Sequence, residues 1–422
     1  MSNDHGEEVK RRLSSLHRPV SPPPARPASG SLAALEAGKE SVKDPLQTVS
    51  AHLRKFIRNT TLGYTSSLEL LQIDDWKALY TRNSHNSGRH FVIHQHDHPV
   101  AGPHYDLRLQ FSESSSLSWS IMYGLPGDAN SRRLNRNATE TRVHSLWNHL
   151  LETASPKTGS MIIWDTGEYE VLPEKPKRNG RLDEGPETQS EESDLSESAL
   201  DTVRDSLESE SGKLRRAFQN HKIRLRLHGS RLPRNYTIFL RRDKTDLRSA
   251  PTPGSLARMP IKRKRRRVIA KAQPSSTSNS ESDTGMADSS SGPSVSGKRR
   301  KETNDTEHSD AEGDSATDYQ IRLNNAYPGA VNDIGSIHQR RWFIVLDRAG
   351  SGFVPEKDPT GKRRWIRGVD KRSGARTGFD PFYVRGPEVE RSVVTGRLGG
   401  DVLHDEGVEG FVPRRGWNPV LN

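Results

Sequence analysis

The chain has 422 residues, carries 65 Lys+Arg against 54 Asp+Glu for a formal charge of +11, and is only 31% hydrophobic. An ordinary globular chain holds roughly 45–50% apolar residues, so one core spanning the whole length is excluded: too little apolar surface opposes the entropy of ordering every residue. No stretch is apolar enough for a membrane span or a secretory signal, and the absence of cysteine excludes disulfides, thiolate nucleophiles and Cys-ligated metals. What is left is a soluble protein of a reducing compartment, with one modest core and a basic surplus suited to phosphate-rich partners.

Residues 1–50, with the run PVSPPPARPASG, read as a disordered arm. Within 51–172, LELLQIDDWKALY sets Ile73, Trp76 and Tyr80 at i, i+3 and i+7, the spacing of a helix with one buried stripe. Short strands follow from residue 89: HFVIHQH, HYDLRLQF, LSWSIMYG and GSMIIWDTGEYEVL, punctuated by turn clusters such as GLPGDANS. Residues 173–213 are acidic and Ser-rich and read as a disordered insertion. A strand pair, KIRLRLHG and RNYTIFLRR, occupies 214–246 with Gly229 in the turn region. A second disordered insertion spans 247–336, a last strand RRWFIVLDR lies in 337–350, and 351–422 forms a C-terminal extension. That extension is either a strand–helix cover on the domain or a partner-binding segment. Isolated strands beyond 213 cannot bury a face alone, and loop closure costs grow only logarithmically with length. The expectation is therefore one mainly β domain, a barrel or sandwich with a few flanking helices, interrupted by two long insertions.

The segment HQHDHPVAGPHYDLRLQF carries the chemistry. On a strand alternate side chains face opposite ways, so Tyr105, Leu107, Leu109 and Phe111 enter the core while His104, Asp106, Arg108 and Gln110 share the other face, about 7 Å apart. A third ligand from His94, His96 or His98 on the preceding strand would complete a two-His, one-carboxylate set of the kind that suits Mn, Fe, Co or Zn. An adjacent guanidinium suits phosphate oxygens, which it binds bidentately.

These residues resemble the 3′-phosphoesterase domain of bacterial DNA ligase D, in a stand-alone, fungal-type arrangement. FVIHQHD…HYDLRLQ and LSWSIMYGLP match its first strands, TRVHSLWNH its second histidine segment, and GSMIIWDTGEYEVL, IRLRLHGSRLPRNYTIFLRR and RRWFIVLDR its later strands. The resemblance implies a small β-barrel with flanking helices that binds Mn²⁺, with Zn²⁺ or Co²⁺ as substitutes, and trims DNA 3′ ends carrying a ribonucleotide or a phosphate. By position His96, His104 and Asp106 match metal ligands. The spacing from His96 to His104 is longer than the family's usual one, which leaves His98 as the alternative first ligand. Arg108 matches a phosphate-contacting arginine and His144 a histidine at the scissile phosphate, both catalytic. The family's tyrosine after the second histidine is replaced near Asn148, and Arg82 is the candidate for its N-terminal arginine. Arg224 and Arg226, on an exposed strand face, are candidate nucleic-acid contacts with salt-dependent affinity.

The implied mechanism is metal-assisted phosphoryl transfer in DNA repair, with DNA repair proteins and a ligase acting in trans as partners. The alternative is a non-catalytic nuclear DNA-end-binding or scaffold protein on the same barrel. The run Lys262, Arg263, Lys264, Arg265, Arg266 and Arg267 suits an importin groove, which points to the nucleus.

Overall fold

Residues 42–58, 70–174, 208–243 and 324–421, with Leu32 and Leu35, are described in a computed structural model of the protein. The alternating segments pair as expected. Strands β1 (His90–His98), β2 (Gly102–Gln110) and β3 (Ser115–Ile121) form an antiparallel meander. From it the sheet runs through β4 (Asn135–Glu140) to β10 (Arg341–Leu346), then β9 (Thr237–Arg242), β8 (Lys222–Gly229) and β7 (Gly159–Val171). Because β7 also pairs with β1, the eight strands close an antiparallel barrel. Two short strands, β5 (His144–Ser145) and β6 (Thr153–Ser155), attach to β3 and β7, and β11 (Phe353–Lys357) with β12 (Arg363–Arg367) makes a separate hairpin. Among the described residues no helix is long and apolar enough to cross a membrane.

The barrel interior takes one face of every strand. Tyr105, Leu107 and Leu109 of β2 meet Leu117, Trp119 and Ile121 of β3, with Ile223, Leu225, Ile238, Leu240, Trp342 and Ile344 closing from the far side. Helix α3 (Glu210–Gln219) plugs one end: Phe218 stacks on Trp342 at 5.4 Å, and Trp342 meets Trp119 edge-on at 5.7 Å. Its N-terminus is capped by Ser209, whose hydroxyl accepts from the Gly212 amide at 3.2 Å. The helix begins inside the stretch read as an acidic insertion. Only Leu214 and Phe218 are large apolar anchors on it, too sparse a stripe for periodicity to reveal.

A second layer lies outside the barrel. Helix α1 (Pro45–Leu53) and helix α2 (Ile73–Asn83) pack Val49, Leu53, Ile73 and Trp76 against Val92, Met161 and Ile163. The expected helix stripe is present: Ile73 and Trp76 are buried and Tyr80 is half-buried. A bulge makes this layer compatible with the core. The β1–β7 register shifts between Ile93 and His94, so that Val92 opposes Thr166 while His94 opposes Ile163. The extra residue inverts the side-chain parity of β7, bringing Met161 and Ile163 outward and leaving Trp164 among the core residues.

The C-terminal extension is a cover on the barrel. The Val393 amide donates to Ile163 O at 2.9 Å, Val393 and Val394 join the outer layer, and helix α4 (Gly399–Asp405) lies against β7 and β6. Residues 324–336, read as the end of the second insertion, also belong to the domain: Asn325 O accepts from the Val143 amide at 2.8 Å.

Candidate metal centre

The face of β2 opposite the core is not solvated. His104, Asp106, Arg108 and Gln110 are all buried, Arg108 at 1% and Gln110 at 0% exposure, beneath β5 and the 3₁₀ turn Leu146–Leu150. The register places His96 directly opposite His104 and His94 opposite Asp106. Antiparallel pairing thus does what the sequence spacing required: one nitrogen each of His96 and His104 and one oxygen of Asp106 lie within 4.8 Å of one another.

Backbone carbonyls set the imidazoles. His104 Nδ1 donates to Gly102 O at 2.8 Å and His96 Nε2 donates to Thr158 O at 2.7 Å. The opposite nitrogens face the carboxylate: His104 Nε2 is 3.5 Å from Asp106 Oδ1, and His96 Nδ1 is 3.7 Å from Asp106 Oδ2. Holding one ring nitrogen on a backbone carbonyl is how metal-binding histidines are oriented. Burial lowers the His104 pKa below the usual histidine value, which Asp106 only partly offsets, so the ring is a neutral donor. Asp106 is pushed the other way: burial opposes its charge, but His104, His96 and Arg108 together hold the carboxyl well below the usual range. Two imidazoles beside an ionised carboxylate are the donor set that a divalent cation of Mn, Zn or Co type takes. The Oδ1 atom of Asp106 accepts no hydrogen bond among the described residues, so the residues present fit such an ion.

His98 is not one of the three converging groups, though its ring centroid lies 5.4 Å from that of His96 and 6.5 Å from that of His104. The His98 Nδ1 accepts from the Val100 and Ala101 amides, both at 3.1 Å, which commits it to the β1–β2 turn, and burial beside His96 lowers its pKa to about 4. The longer His96–His104 spacing is absorbed in that turn, since His98 pairs with Gly102 and His96 keeps register with His104.

Arg108 borders the carboxylate, with Nη2 at 3.5 Å from Asp106 Oδ2 and Nη1 donating to Asn148 O at 3.4 Å. These are long contacts, and its Nε has no partner among the described residues. His144 arrives on β5 opposite Ser116, also with an unpartnered ring nitrogen. Burial and then Arg108 lower the His144 pKa well below the histidine norm. His94, Ser116, Ser118 and His149 add further buried polar atoms that have no hydrogen-bond partner among the described residues. Such atoms are costly unless a ligand meets them. His149 was not singled out in the sequence although it lies in the HSLWNH segment; its only chain signal was that second histidine. The Asn148 contact is a backbone carbonyl and carries no residue signature.

Three other expected contacts are not brought here. Arg82 is on α2 and bonds Glu168 at 2.6 Å. Arg224 bonds Asp347 at 2.8 Å and Arg226 sits 3.5 Å from Glu170, both on β8, which is separated from β2 by β7 and β1. Each has an acid as partner, which removes the free charge that composition suggested. The run from Lys262 to Arg267 lies outside the described residues.

The protein is thus of the closed antiparallel β-barrel class, with two histidines, an aspartate and a guanidinium gathered on a covered outer face. More particularly, residues 94–240 match the family model of the DNA ligase D 3′-phosphoesterase domain. The match spans the strands that bear all four of these side chains. No curated protein matches the chain.

Proposed function

We propose that the protein is a metal-dependent phosphoesterase that processes DNA 3′ ends bearing a phosphate or a ribonucleotide. The observation that carries this reading is the convergence of His96, His104 and Asp106 within 4.8 Å beside a buried, under-bonded Arg108, inside the segment that matches the family. His96, His104 and Asp106 would hold the ion, with Mn²⁺ preferred and Zn²⁺ or Co²⁺ as substitutes. When bound, such a cation supplies Lewis-acid polarisation of a phosphoryl oxygen. Arg108 offers its free N–H groups to the phosphate and neutralises charge that grows in the transition state. His144, neutral through burial, donates one N–H and orients the phosphate rather than serving as its acid. The outer layer above Arg108 excludes water, which strengthens each of these contacts.

The biological setting follows as part of the proposal: action in the nucleus, with a ligase sealing the trimmed end in trans. The test combines metal analysis with end processing on the full chain. Near-stoichiometric metal and conversion of a 3′-phosphate or 3′-ribonucleotide primer to a 3′-hydroxyl are expected, both lost in His104→Ala and Asp106→Asn. Retained processing in those variants would refute the assignment.

A further inference from the structure

The C-terminal tail crosses the barrel end that carries the β1–β2 turn, next to the strands of the cation set. Arg414 Nη1 donates to Val100 O at 2.8 Å and to Ala101 O at 3.4 Å, on the turn three to four residues before His104. Gly102 has φ of +80°, and a Cβ there would lie 3.4 Å from Arg414 Cδ, so the strap sits directly on this turn. Farther along, Trp417 anchors it: the indole Nε1 donates to Met122 O at 2.6 Å just past β3. Gly416, Asn418, Pro419 and Val420 then close a cleft of about 280 Å³ against Tyr123 and Arg133 of the β3–β4 connection. That volume is near the lower end for small-ligand sites, roughly 300 Å³.

Four arginines belong to the two segments that meet here, Arg133 lining the cleft and Arg414 on the turn. Arg132, Arg133, Arg414 and Arg415 are all exposed, and none has a carboxylate partner among the described residues. Arg82 and Arg226, in contrast, are each paired to an acid. Asp128, the acid on the same loop, is already engaged by the Tyr383 hydroxyl at 3.1 Å and the Asn130 amide at 2.8 Å. Tyr123 leaves 37% of its surface in solvent beside the cleft. Cations spaced along a groove with an exposed aromatic ring are the elements by which single-stranded nucleic acid is held, phosphates on the charges and a base on the ring.

We propose that the C-terminal strap and the β3–β4 loop form the track for the single strand whose 3′ end enters the site, with Arg132, Arg133, Arg414 and Arg415 on its phosphates and Tyr123 stacking a base. The inference rests on the reading of a nucleic-acid 3′ end as substrate. The strap lies outside the segment that matches the family, whereas Tyr123, Arg132 and Arg133 lie within it.

The experiment is fluorescence anisotropy of a labelled single-stranded oligonucleotide with the full chain, in chelator, across a salt series. Arg132→Ala/Arg133→Ala and Arg414→Ala/Arg415→Ala are each expected to weaken binding about tenfold at low salt and to lower the log–log salt slope by about 0.7 per arginine removed. Tyr123→Ala weakens binding about fivefold or more without changing the slope. Arg414→Ala also loosens the β1–β2 turn, so the Arg132/Arg133 pair, which does not touch that turn, is decisive. Unchanged affinity and slope in that pair overturn the track. Weakened binding in the pair, with no 3′-end processing by the wild type in Mn²⁺, would leave the track standing and remove the proposed activity.

Discussion

Two buried pairings of carboxylate and guanidinium stand on the outer layer of the barrel, and they are built to opposite standards. Glu152 and Arg397 are both fully buried and joined at 2.9 Å. Glu152 also accepts from the Ile163 amide at 3.2 Å, the Thr395 hydroxyl at 2.7 Å and the Ser392 hydroxyl, and Arg397 reaches Asp405 at 3.3 Å and covers the Phe56 ring. Every lone pair has a use, and the knot ties the tail to the barrel. Asp106 and Arg108 meet only at 3.5 Å, with Asp106 Oδ1 and Arg108 Nε left without hydrogen bonds among the described residues. A satisfied pair holds a fold together. An unsatisfied one keeps its bonding capacity for something that arrives later.

The sharpest way to break this contrast is at the satisfied pair. Glu152→Ala strands Arg397 in the interior and should cost about 3–5 kcal/mol of unfolding free energy in a denaturant titration. A loss below about 1 kcal/mol would show that the tail is not held this way. Next in size is the response to ligand. Mn²⁺ at about a hundred times its Kd should raise wild-type stability by roughly 2.7 kcal/mol and leave His104→Ala unmoved; equal shifts in both proteins would place the ion elsewhere.

The third effect is pH dependence, with His90 as its clearest source. Burial lowers its pKa from 6.5 to about 3, and its Nδ1 lies 2.6 Å from His149 Nδ1. The unfolded chain therefore takes up the proton first as pH falls. The stability contributed by neutral His90 is complete above 6.5 and erodes from there toward about 3. His90→Gln should flatten that limb by up to about 1.4 kcal/mol per pH unit, read from chemical unfolding at successive pH values. Smallest is Arg226→Ala: a half-exposed pair with Glu170 is worth under about 1 kcal/mol, and oligonucleotide affinity should stay within twofold of wild type.

Much of this architecture was legible in the chain because strands write their facing into alternate residues. HYDLRLQF separates Tyr105, Leu107 and Leu109 from His104, Asp106 and Arg108 by parity alone, and the structure keeps that division. What parity does not give is what lies above a face. The outward row reads as surface, yet it is roofed by α1, α2 and the 3₁₀ turn, whose docking depends on contacts distant in sequence. Strand β4, NRNATE, escaped notice because its polar face is open and only Arg136, Ala138 and Glu140 turn inward. Glu140 is fully buried and takes hydrogen bonds from Arg340 at 2.7 Å and from Trp342 at 2.8 Å, partners some two hundred positions away. Where the turn absorbs its extra residues is likewise legible only from the pairing register, in which His96 faces His104 and His98 faces Gly102.

The late stave has a consequence for how the molecule comes into being. Strand β10 sits between β4 and β9 and bonds to both. A ribosome that has released residue 242 has therefore produced seven of the eight staves and an open cylinder, with two unpaired borders facing one another across a gap. Exposed strand borders invite pairing with other chains, and contacts this far apart in sequence form slowly. Cutting the gene after the segment that matches the family would make that unfinished cylinder permanent, so a soluble, monodisperse fragment requires residues through Leu346.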